Sequence, residues 1–439
     1  MTGGQPCQAI GSTIPGASAE PTGTGDRRSA DRLPHRDERY RWIILGAATF
    51  TQAASGFFVQ GIGAMSIHLQ RGLDLSTAQL GFLLSAAQLV PLAGLLVAGE
   101  LLDRYSERWV VGLGACVVAV SLGLGSLAPG YASLLGVLLI VGAGYSTVQP
   151  GGSKSVASWF AASQRGLAMG IRQAGVPLGG VLAAALLPLL AAFAGWRTTL
   201  LAGGAVALLG AGVFICLYRP SPAQTALRSD APSDNESHPS LRTGLAARVR
   251  TLREPSMVKI LLSGTSLVSV HSGISVLTVL YLHETTSAAE GSAALVLVAT
   301  QAAGVAGRVC LAAWSDHSRL GRHGSVVTCM VAVTVGMAAL MTPLGHSLAV
   351  ACPLFIWLGF FGIGWYGPWV THVAESAPPG RTGSVLGLAM AVTQIAIILV
   401  PPVLGLLKDL THSFTPAWGL LCAMTLLALT MCRRVRTAP

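Results

Sequence analysis

The feature that most constrains this chain is the length of its segments without charged residues. The longest covers residues 323–374, which are 52 positions without a single Asp, Glu, Lys or Arg. A helix needs about 20 apolar residues to cross roughly 30 Å of hydrocarbon, and only a helix satisfies its own backbone hydrogen bonds there. Similar runs cover residues 42–70, 75–99, 109–153, 173–196, 198–218, 260–283, 291–307, 382–407 and 410–432. Each run therefore predicts one or two membrane crossings.

The composition supports a membrane protein and argues against a soluble one. Hydrophobic residues make up 52% of the 439 positions and charged residues only 10%. The formal net charge is +10, but the basic residues lie in short segments between apolar runs, which indicates membrane orientation rather than nucleic-acid binding. The eight cysteines have no disulfide or metal spacing. We therefore expect inert thiols and no metal or other cofactor.

Glycines, prolines and loop residues divide the apolar runs into twelve predicted helices. The sequence thus predicts an all-α polytopic membrane protein embedded in a lipid bilayer. The helices are expected to begin near Trp42, Ala78, Trp109, Leu134, Arg165, Trp196, Val258, Ser292, Val326, Leu348, Gly383 and Pro416.

The distribution of basic residues predicts the orientation of these helices. An even number of crossings leaves both termini on one side of the membrane. Arginines cluster before the first helix, in the central loop and after the last helix, whereas the opposite loops contain only Arg71, Arg197 and Lys408. By the positive-inside rule, we predict a multi-pass protein of the cell inner (plasma) membrane with both termini cytoplasmic.

The polar stretches divide the chain into five expected segments. The first 41 residues are rich in Gly, Ser, Thr and Pro without an apolar core segment, which is typical of a disordered tail. The expected order is a disordered cytoplasmic tail (1–41), an N-terminal six-helix bundle (42–218), a cytoplasmic central loop (219–256), a C-terminal six-helix bundle (257–433) and a cytoplasmic tail (434–439).

The two predicted bundles contain matching landmarks. The second helix ends in GELLDRYSER (99–108) and the eighth in AAWSDHSRLGR (312–322), so that Asp103 and Asp316 are offset by 213 positions. Gly166 and Gly383, near the starts of the fifth and eleventh helices, are offset by 217. Two landmarks with nearly equal offsets indicate a duplicated six-helix unit with internal pseudo-symmetry.

Several segments resemble the major facilitator superfamily of secondary transporters. Gly99, Leu101, Asp103, Arg104 and Arg108 match its loop signature between helices two and three, and WFAASQRGLAMG (159–170) and AESAPPGRTGSVLGL (374–388) are also similar to members. The resemblance covers essentially all of Trp42 to Arg436. It implies two six-helix bundles that rock about a central site, and a protein that works as a monomer.

We predict a gate built from Gly99, Asp103, Arg104, Arg108 and Asp316. An Asp or Arg at a helix end pairs with neighbouring helix termini in one state and releases them in another. The alternative is that these charges only anchor the helix ends at the membrane interface. We expect Asp103→Ala to reduce transport in a protein that still inserts.

The ionisable residues within the spans differ in sign. Lys154, Arg172, His271 and Arg308 lie in apolar interiors, although Lys154 is near enough to a helix end to snorkel to the interface. The acids Glu100, Asp103, Asp316 and Glu375 all lie near predicted cytoplasmic ends. Ionisable groups in the hydrocarbon are expensive and therefore indicate function. This arrangement favours an anionic cargo over a cationic one.

Arg308 is the leading candidate for binding such a cargo. The spacing of Arg308, Ala312, Ser315 and Asp316 is similar to a pattern in family branches that move oxalate and monocarboxylates, where the arginine meets the substrate carboxylate. Structural pairing between the bundles is the alternative role. Arg172 is either a second substrate clamp or part of the cytoplasmic gate.

Polar and aromatic residues at similar depth complete the candidate site. The predicted substrate-binding residues are Arg308, Arg172, Gln149, Gln173, Gln301, Gln394, Trp365 and Tyr366. Glutamines and aromatic residues of this kind either line a cavity or pack helices together, and Gln52 and Gln88 have the same two interpretations. His271 is the candidate proton carrier because histidine titrates near pH 6.5. A protonated substrate acid or exchange with a counter-anion would make that role unnecessary.

We therefore predict a secondary active transporter of a small carboxylate-like organic anion, working by alternating access and linked to protons. One alternative is a proton-driven exporter of drugs or a secreted metabolite, favoured by the antiporter-like sequence GVPLGG (175–180). Another is a membrane sensor that does not transport. An enzyme is not expected because the chain has no nucleophile with a base, no clustered metal ligands and no nucleotide-binding loop.

Overall fold

The computed structural model describes residues 35–75, 77–222, 254–286, 288, 290–378 and 380–433, and every regular element in this part is helical. Most of the predicted N-terminal tail and central loop, and the tail at 434–439, lie outside the described residues. The α-helices are α1 (His35–Gly61), α2 (Ser66–Leu73), α3 (Thr77–Leu89), α4 (Pro91–Arg104), α5 (Glu107–Gly125), α6 (Tyr131–Trp159), α7 (Ala162–Leu217), α8 (Pro255–Thr286), α9 (Glu290–His317), α10 (Gly321–Leu340), α11 (Leu348–Gly364), α12 (Tyr366–Glu375), α13 (Thr382–Thr411) and α14 (Thr415–Arg433). Short 3₁₀ helices cover Ile62–Met65 and Pro343–His346.

These helices account for twelve crossings of a membrane. Ten stretches of the described chain are long and apolar enough to cross. One of them, α7, has 56 residues and would be about 84 Å long if straight, which is enough for two crossings. It is broken at Gly195, whose φ of 79° lies in the region that favours glycine. Helices α3 and α4 form the remaining crossing together, with an interruption just before Pro91.

The observed helix starts agree with those predicted from the sequence. All of them except α1 lie within five residues of the expected position, and the largest of these differences is Gly321 against the predicted Val326. Helix α1 begins at His35 rather than near Trp42.

The N-terminal and C-terminal halves meet along two related pairs of helices. Helix α4 packs against α13, and the first part of α7 packs against α9. Glycines permit the close approach in both pairs. A Cβ atom on Gly99 would lie 2.8 Å from the carbonyl oxygen of Gly383, and one on Gly166 would lie 2.5 Å from that of Ala312. Both contacts would have to open to accept any larger side chain.

Asp103, at the end of α4, caps the beginning of α13 in the other half. Its carboxylate accepts hydrogen bonds of 2.8 Å from the backbone N–H groups of Gly383 and Ser384, and a further one from the Ser384 hydroxyl. The first N–H groups of a helix have no partner within the helix, and the helix dipole favours a negative charge beside them. The carboxylate therefore links the two halves.

Asp316, at the end of α9, makes the corresponding link to α7. It accepts hydrogen bonds from the N–H groups of Gly166 (2.8 Å) and Leu167 (2.7 Å). The two aspartates and the two glycines that donate to them are the landmarks of the sequence repeat. We call the end of the molecule that carries both caps the latch end.

Basic side chains surround the two caps. The Lys154 ammonium lies 3.1 Å from Glu107 and 3.7 Å from Asp103, so that Lys154 is held within the protein. Arg322 pairs with Asp316 and donates to the carbonyl oxygen of Ala162 (2.6 Å) in the other half. Both aspartates therefore have a basic partner as well as a helix N-terminus.

The two arginines of the predicted gate lie beside these contacts rather than in them. Arg104 is exposed, and the Arg108 guanidinium lies 5.6 Å from the centre of the Trp109 ring. The structure thus places Gly99, Asp103 and Asp316 in the contact between the halves. A gating role for Arg104 and Arg108 stays a prediction.

Replacing Asp103 or Asp316 by Asn tests the two caps. Each change keeps the size of the side chain but removes the charge that the helix N-terminus favours, so we expect each variant to lose about 1–2 kcal/mol of stability. Thermal unfolding of the purified variants should show lower midpoints than the wild type. Glu375→Gln is the control, because this partly exposed carboxylate makes ion pairs at 3.3–3.4 Å that contribute little. Equal midpoints for all three variants would contradict the capping role.

Candidate functional site

A cavity of about 300 Å³ lies between the two halves. Its walls include residues of α1, α3, α4 and α6 from the N-terminal half, and of α8, α9, α12 and α13 from the C-terminal half. On α4 the lining residue Leu95 comes two turns before Asp103, and on α13 the lining residues begin at Met390, after the capped N-terminus. The cavity therefore lies deeper in the molecule than the latch end, near mid-membrane.

Arg308, on α9, lies at the surface of this cavity and bridges the halves. Its Nη1 donates a 2.6 Å hydrogen bond to the carbonyl oxygen of Gln173, and its Nε donates one of 3.3 Å to that of Ile363. The guanidinium carbon lies 5.7 Å from the centre of the Tyr366 ring. Within the described residues, no carboxylate lies close enough to pair with Arg308, so its charge is shared only with neutral groups.

Arg172, the second predicted substrate ligand, is fully buried inside the N-terminal half. It donates to the Ser153 hydroxyl (2.9 Å), the Gln52 side-chain oxygen (2.9 Å) and the carbonyl oxygens of Val148 (3.1 Å) and Gln149 (2.6 Å). Because its exposed fraction is 0%, Arg172 has no surface in the cavity.

Room for the Arg172 guanidinium comes from a glycine on α6. A Cβ atom on Gly152 would lie 2.6 Å from Nε of Arg172. The arginine thus fills a groove that small residues leave open. The arrangement is that of a structural residue, and a contact with substrate would require it to leave four oxygen acceptors.

Tyr366 connects the cavity wall to this buried arginine. The Gln149 side-chain amide donates a 2.6 Å hydrogen bond to the Tyr366 hydroxyl, which joins α6 of one half to α12 of the other. The backbone oxygen of the same Gln149 accepts from Arg172. The predicted residues Gln149 and Tyr366 therefore lie together, and Tyr366 also contacts Arg308 through its ring.

Three glutamine side chains form a second connection across the cavity. The amide of Gln394 donates to the backbone oxygen of Gln88 (3.1 Å), and the amide of Gln88 lies 3.4 Å from the side-chain oxygen of Gln60. These residues belong to α13, α3 and α1. The long distances between the side chains leave their amides free to hydrogen-bond a ligand as well.

The remaining predicted residues divide between the cavity and the packed interior. His271 lines the cavity on α8, and Gln301 lines an adjoining cavity that also includes Arg308. Gln173 and Trp365 are fully buried, and neither side chain has a hydrogen-bond partner in the described part of the chain. A ligand in the cavity would not touch either side chain in this conformation.

The prediction missed five polar residues of the cavity wall: Gln60, Tyr145, Ser272, Ser275 and Thr393. Gln60 had a usable signal, because it follows the candidate Gln52 by eight residues in the same charge-free run. Serines and threonines are too common in membrane helices to be selected in this way.

The charged side chains on the described wall of the cavity are basic. Arg308 supplies a permanent charge with a planar edge that suits a carboxylate, and His271 is the other basic side chain on the wall. None of the wall residues that the structure describes is acidic. Among the described residues, no group of three or more His, Cys, Asp or Glu side chains is placed to hold a metal ion.

Comparison with known proteins identifies the family. The model of the Major Facilitator Superfamily matches residues 48–401. The uncharacterized MFS-type transporter Rv2994 of Mycobacterium tuberculosis is 28% identical over 437 residues, which cover 96% of this chain and 88% of that protein. Monocarboxylate transporter 11 of Homo sapiens is 27% identical over 397 residues, which cover 87% of this chain and 80% of that protein.

Solved structures show the same fold. The proton:xylose symporter XylE, bound to 6-bromo-6-deoxy-D-glucose, superposes with a TM-score of 0.71 at 17% identity, covering 91% of this chain and 96% of XylE. This confirms the predicted all-α fold of two six-helix bundles. The family and these structural neighbours are transporters, which confirms that the protein is not an enzyme. The chain is a multi-pass membrane transport protein and belongs to the Major Facilitator Superfamily.

Proposed function

We propose that this protein carries a small organic monoanion, of the carboxylate class, across the plasma membrane. The observation that supports this most strongly is the position of Arg308. A guanidinium at the wall of a central cavity, without a carboxylate partner among the described residues, attracts an anion and repels a cation. Similarity to a protein named as a monocarboxylate transporter points to the same class of cargo.

The burial of Arg172 limits the charge of the cargo. With both arginines at the cavity wall, a dianion would be the matching ligand. Because Arg172 is fully buried and hydrogen-bonded within its own half, Arg308 alone supplies a permanent positive charge to the wall. A single carboxylate neutralises that charge, whereas a second carboxylate would be left without a cation.

The two aspartate caps at the latch end are the contacts that would open and close during an alternating-access cycle. In the predicted orientation, the latch end faces the cytoplasm, and both aspartate caps are joined in this structure. Release of the two aspartate caps would then open the site to the cytoplasm. An importer and an exporter would use the same two states in opposite order.

Binding of anions to Arg308 is tested by thermal stabilisation of the purified protein. We expect small monocarboxylates to stabilise the wild type, by about 2.7 kcal/mol at a concentration of 100 times Kd, and cationic drugs to have no effect. Arg308→Gln should lose this stabilisation, whereas Thr393→Val, a change in the same cavity without loss of charge, should keep most of it. Undiminished stabilisation of Arg308→Gln by carboxylates, or stabilisation of the wild type by cationic drugs, would refute the proposal.

Counterflow in proteoliposomes separates transport from sensing. A stabilising anion that drives uptake of its labelled form in liposomes loaded with the same anion is a transported substrate. Binding without counterflow would indicate a sensor. In cells, deletion of an importer lowers the internal amount of the anion, and deletion of an exporter raises it.

Proton coupling through His271 is the second part of the proposal. His271 lies on the same cavity wall as Arg308, and a proton on its ring adds positive charge that attracts the anion. We therefore expect uptake to increase as the external pH falls, and His271→Gln to flatten this dependence. Ser275→Ala, one turn along α8, is the control that should keep the wild-type profile. An unchanged profile in His271→Gln would show that the proton travels elsewhere.

A further inference from the structure

A second cavity, of about 350 Å³, adjoins the first at Arg308. The two cavities have five wall residues in common: Gln60, Val176, His271, Ser275 and Arg308. The guanidinium thus stands at a junction between two spaces rather than at the end of one. The proposed function uses only the first.

The two spaces differ in chemistry. The first, which we call the polar lobe, has six apolar wall residues of its own and seven hydrogen-bonding ones. The seven are Gln88, Tyr145, Gln149, Ser272, Tyr366, Thr393 and Gln394. The second, which we call the apolar lobe, adds Pro177, Gly180, Val181, Ala184 and Ile363 to the five shared residues, and Gln301 is the one polar side chain among its additions.

The apolar lobe is a consequence of small residues on one face of α7. Positions 176, 177, 180, 181 and 184 recur at helical spacing and therefore face the same direction. At Gly180, a Cβ atom would meet a single atom within 4 Å, the Cβ of Gln60 at 3.4 Å. The helix backbone thus borders open space at this position, and the space has an apolar wall.

We infer that the cargo is an amphipathic monocarboxylate that occupies both lobes. Its carboxylate binds Arg308 at the junction, a hydrogen-bonding substituent such as a 2-hydroxyl group enters the polar lobe, and an apolar side chain enters the apolar lobe. This inference rests on the proposed function, because it places the same carboxylate on the same arginine. It adds the shape and the polarity of the remainder of the molecule.

The two lobes predict two independent affinity effects. Each methylene transferred from water into the apolar lobe should strengthen binding about four-fold, the equivalent of ~0.8 kcal/mol, until the lobe is full. An acid with a hydroxyl group that hydrogen-bonds to the amides of the polar lobe should bind more tightly than the acid without it. Without the hydroxyl group, these amides have no hydrogen-bond partner on the ligand.

The test uses the full-length protein in lipid nanodiscs at a pH where the acids are ionised. The probes are 2-hydroxypropanoate, 2-hydroxybutanoate, 2-hydroxypentanoate and 2-hydroxyhexanoate, with hexanoate as the acid without a hydroxyl group. The measurement is the concentration of each acid that gives half-maximal thermal stabilisation. For the wild type, we expect this concentration to fall about sixty-fold over the three added methylenes, and hexanoate to bind more weakly than 2-hydroxyhexanoate.

Gly180→Leu fills the apolar lobe, and Gly212→Leu is its matched control. Gly212 is exposed on the same helix, and nothing lies within 4 Å of a Cβ atom at that position. Both changes add the same side chain and the same helix propensity. We expect Gly180→Leu to abolish the dependence on chain length and Gly212→Leu to retain it.

The outcomes distinguish this inference from the proposed function. If no acid of the series stabilises the protein, both fail. If the short acids bind and lose stabilisation in Arg308→Gln, but affinity changes less than two-fold per methylene, the proposed function stands and the apolar lobe is no part of the site. The lobe is likewise excluded from the site if Gly180→Leu keeps the wild-type series, as it would if a lipid chain occupied that space.

Discussion

The structure depends on how a positive charge is accommodated inside a membrane. A guanidinium in hydrocarbon must find oxygen acceptors within the protein, because water is not available to supply them. Arg172 finds four such acceptors, all in its own half, and is fully buried. Arg308 finds two backbone oxygens, one in each half, and keeps an edge at the cavity wall. The same chemical requirement therefore makes one arginine structural and leaves the other able to bind a ligand.

The two aspartate caps apply the same rule to the backbone. N–H groups in the first turns of α7 and α13 each find a carboxylate from the opposite half. These hydrogen bonds to a charged group are strong, and they can break and re-form because they are not covalent. The helices that carry the latch also carry the site: α9 bears both Asp316 and Arg308, and α13 bears both Ser384 and Gln394. A movement of these helices at the aspartate caps would therefore also move the residues of the cavity wall.

The fold was largely predictable because hydrocarbon imposes a simple rule on sequence. Charge-free runs located the twelve crossings, and the offsets of Asp103 and Gly166 from their counterparts revealed the duplication. The sequence predicted that the aspartates pair with helix termini, but it did not predict their partners. In the structure each aspartate accepts a hydrogen bond from the landmark glycine of the other half, at separations of 280 and 150 positions.

The site was only partly predictable, because an apolar helix does not reveal which face it turns inward. Arg308, His271, Gln149, Gln394 and Tyr366 were predicted and share one cavity, whereas Gln173 and Trp365 are buried. Trp365 comes one residue before the wall residue Tyr366. A step of one residue rotates a side chain by about 100° around the helix, which moves it from the cavity into the packing. The acceptors of Arg172 and the ammonium beside Asp103 depend on contacts between helices that are distant in sequence, and no local pattern encodes them.

The position of Arg308 also bears on how ligand binding affects the latch. The hydrogen bonds that join the halves at the cavity include those from Arg308 to the Gln173 backbone and from Gln149 to Tyr366. Opening at the latch end must separate these groups as well as the aspartate caps. An anion that binds Arg308 replaces the acceptor that the guanidinium loses, which lowers the free energy of the separated state relative to the joined one. A ligand changes an equilibrium only by its difference in affinity for the two states, and competition between the anion and the Gln173 carbonyl oxygen for Arg308 is a direct physical source of that difference.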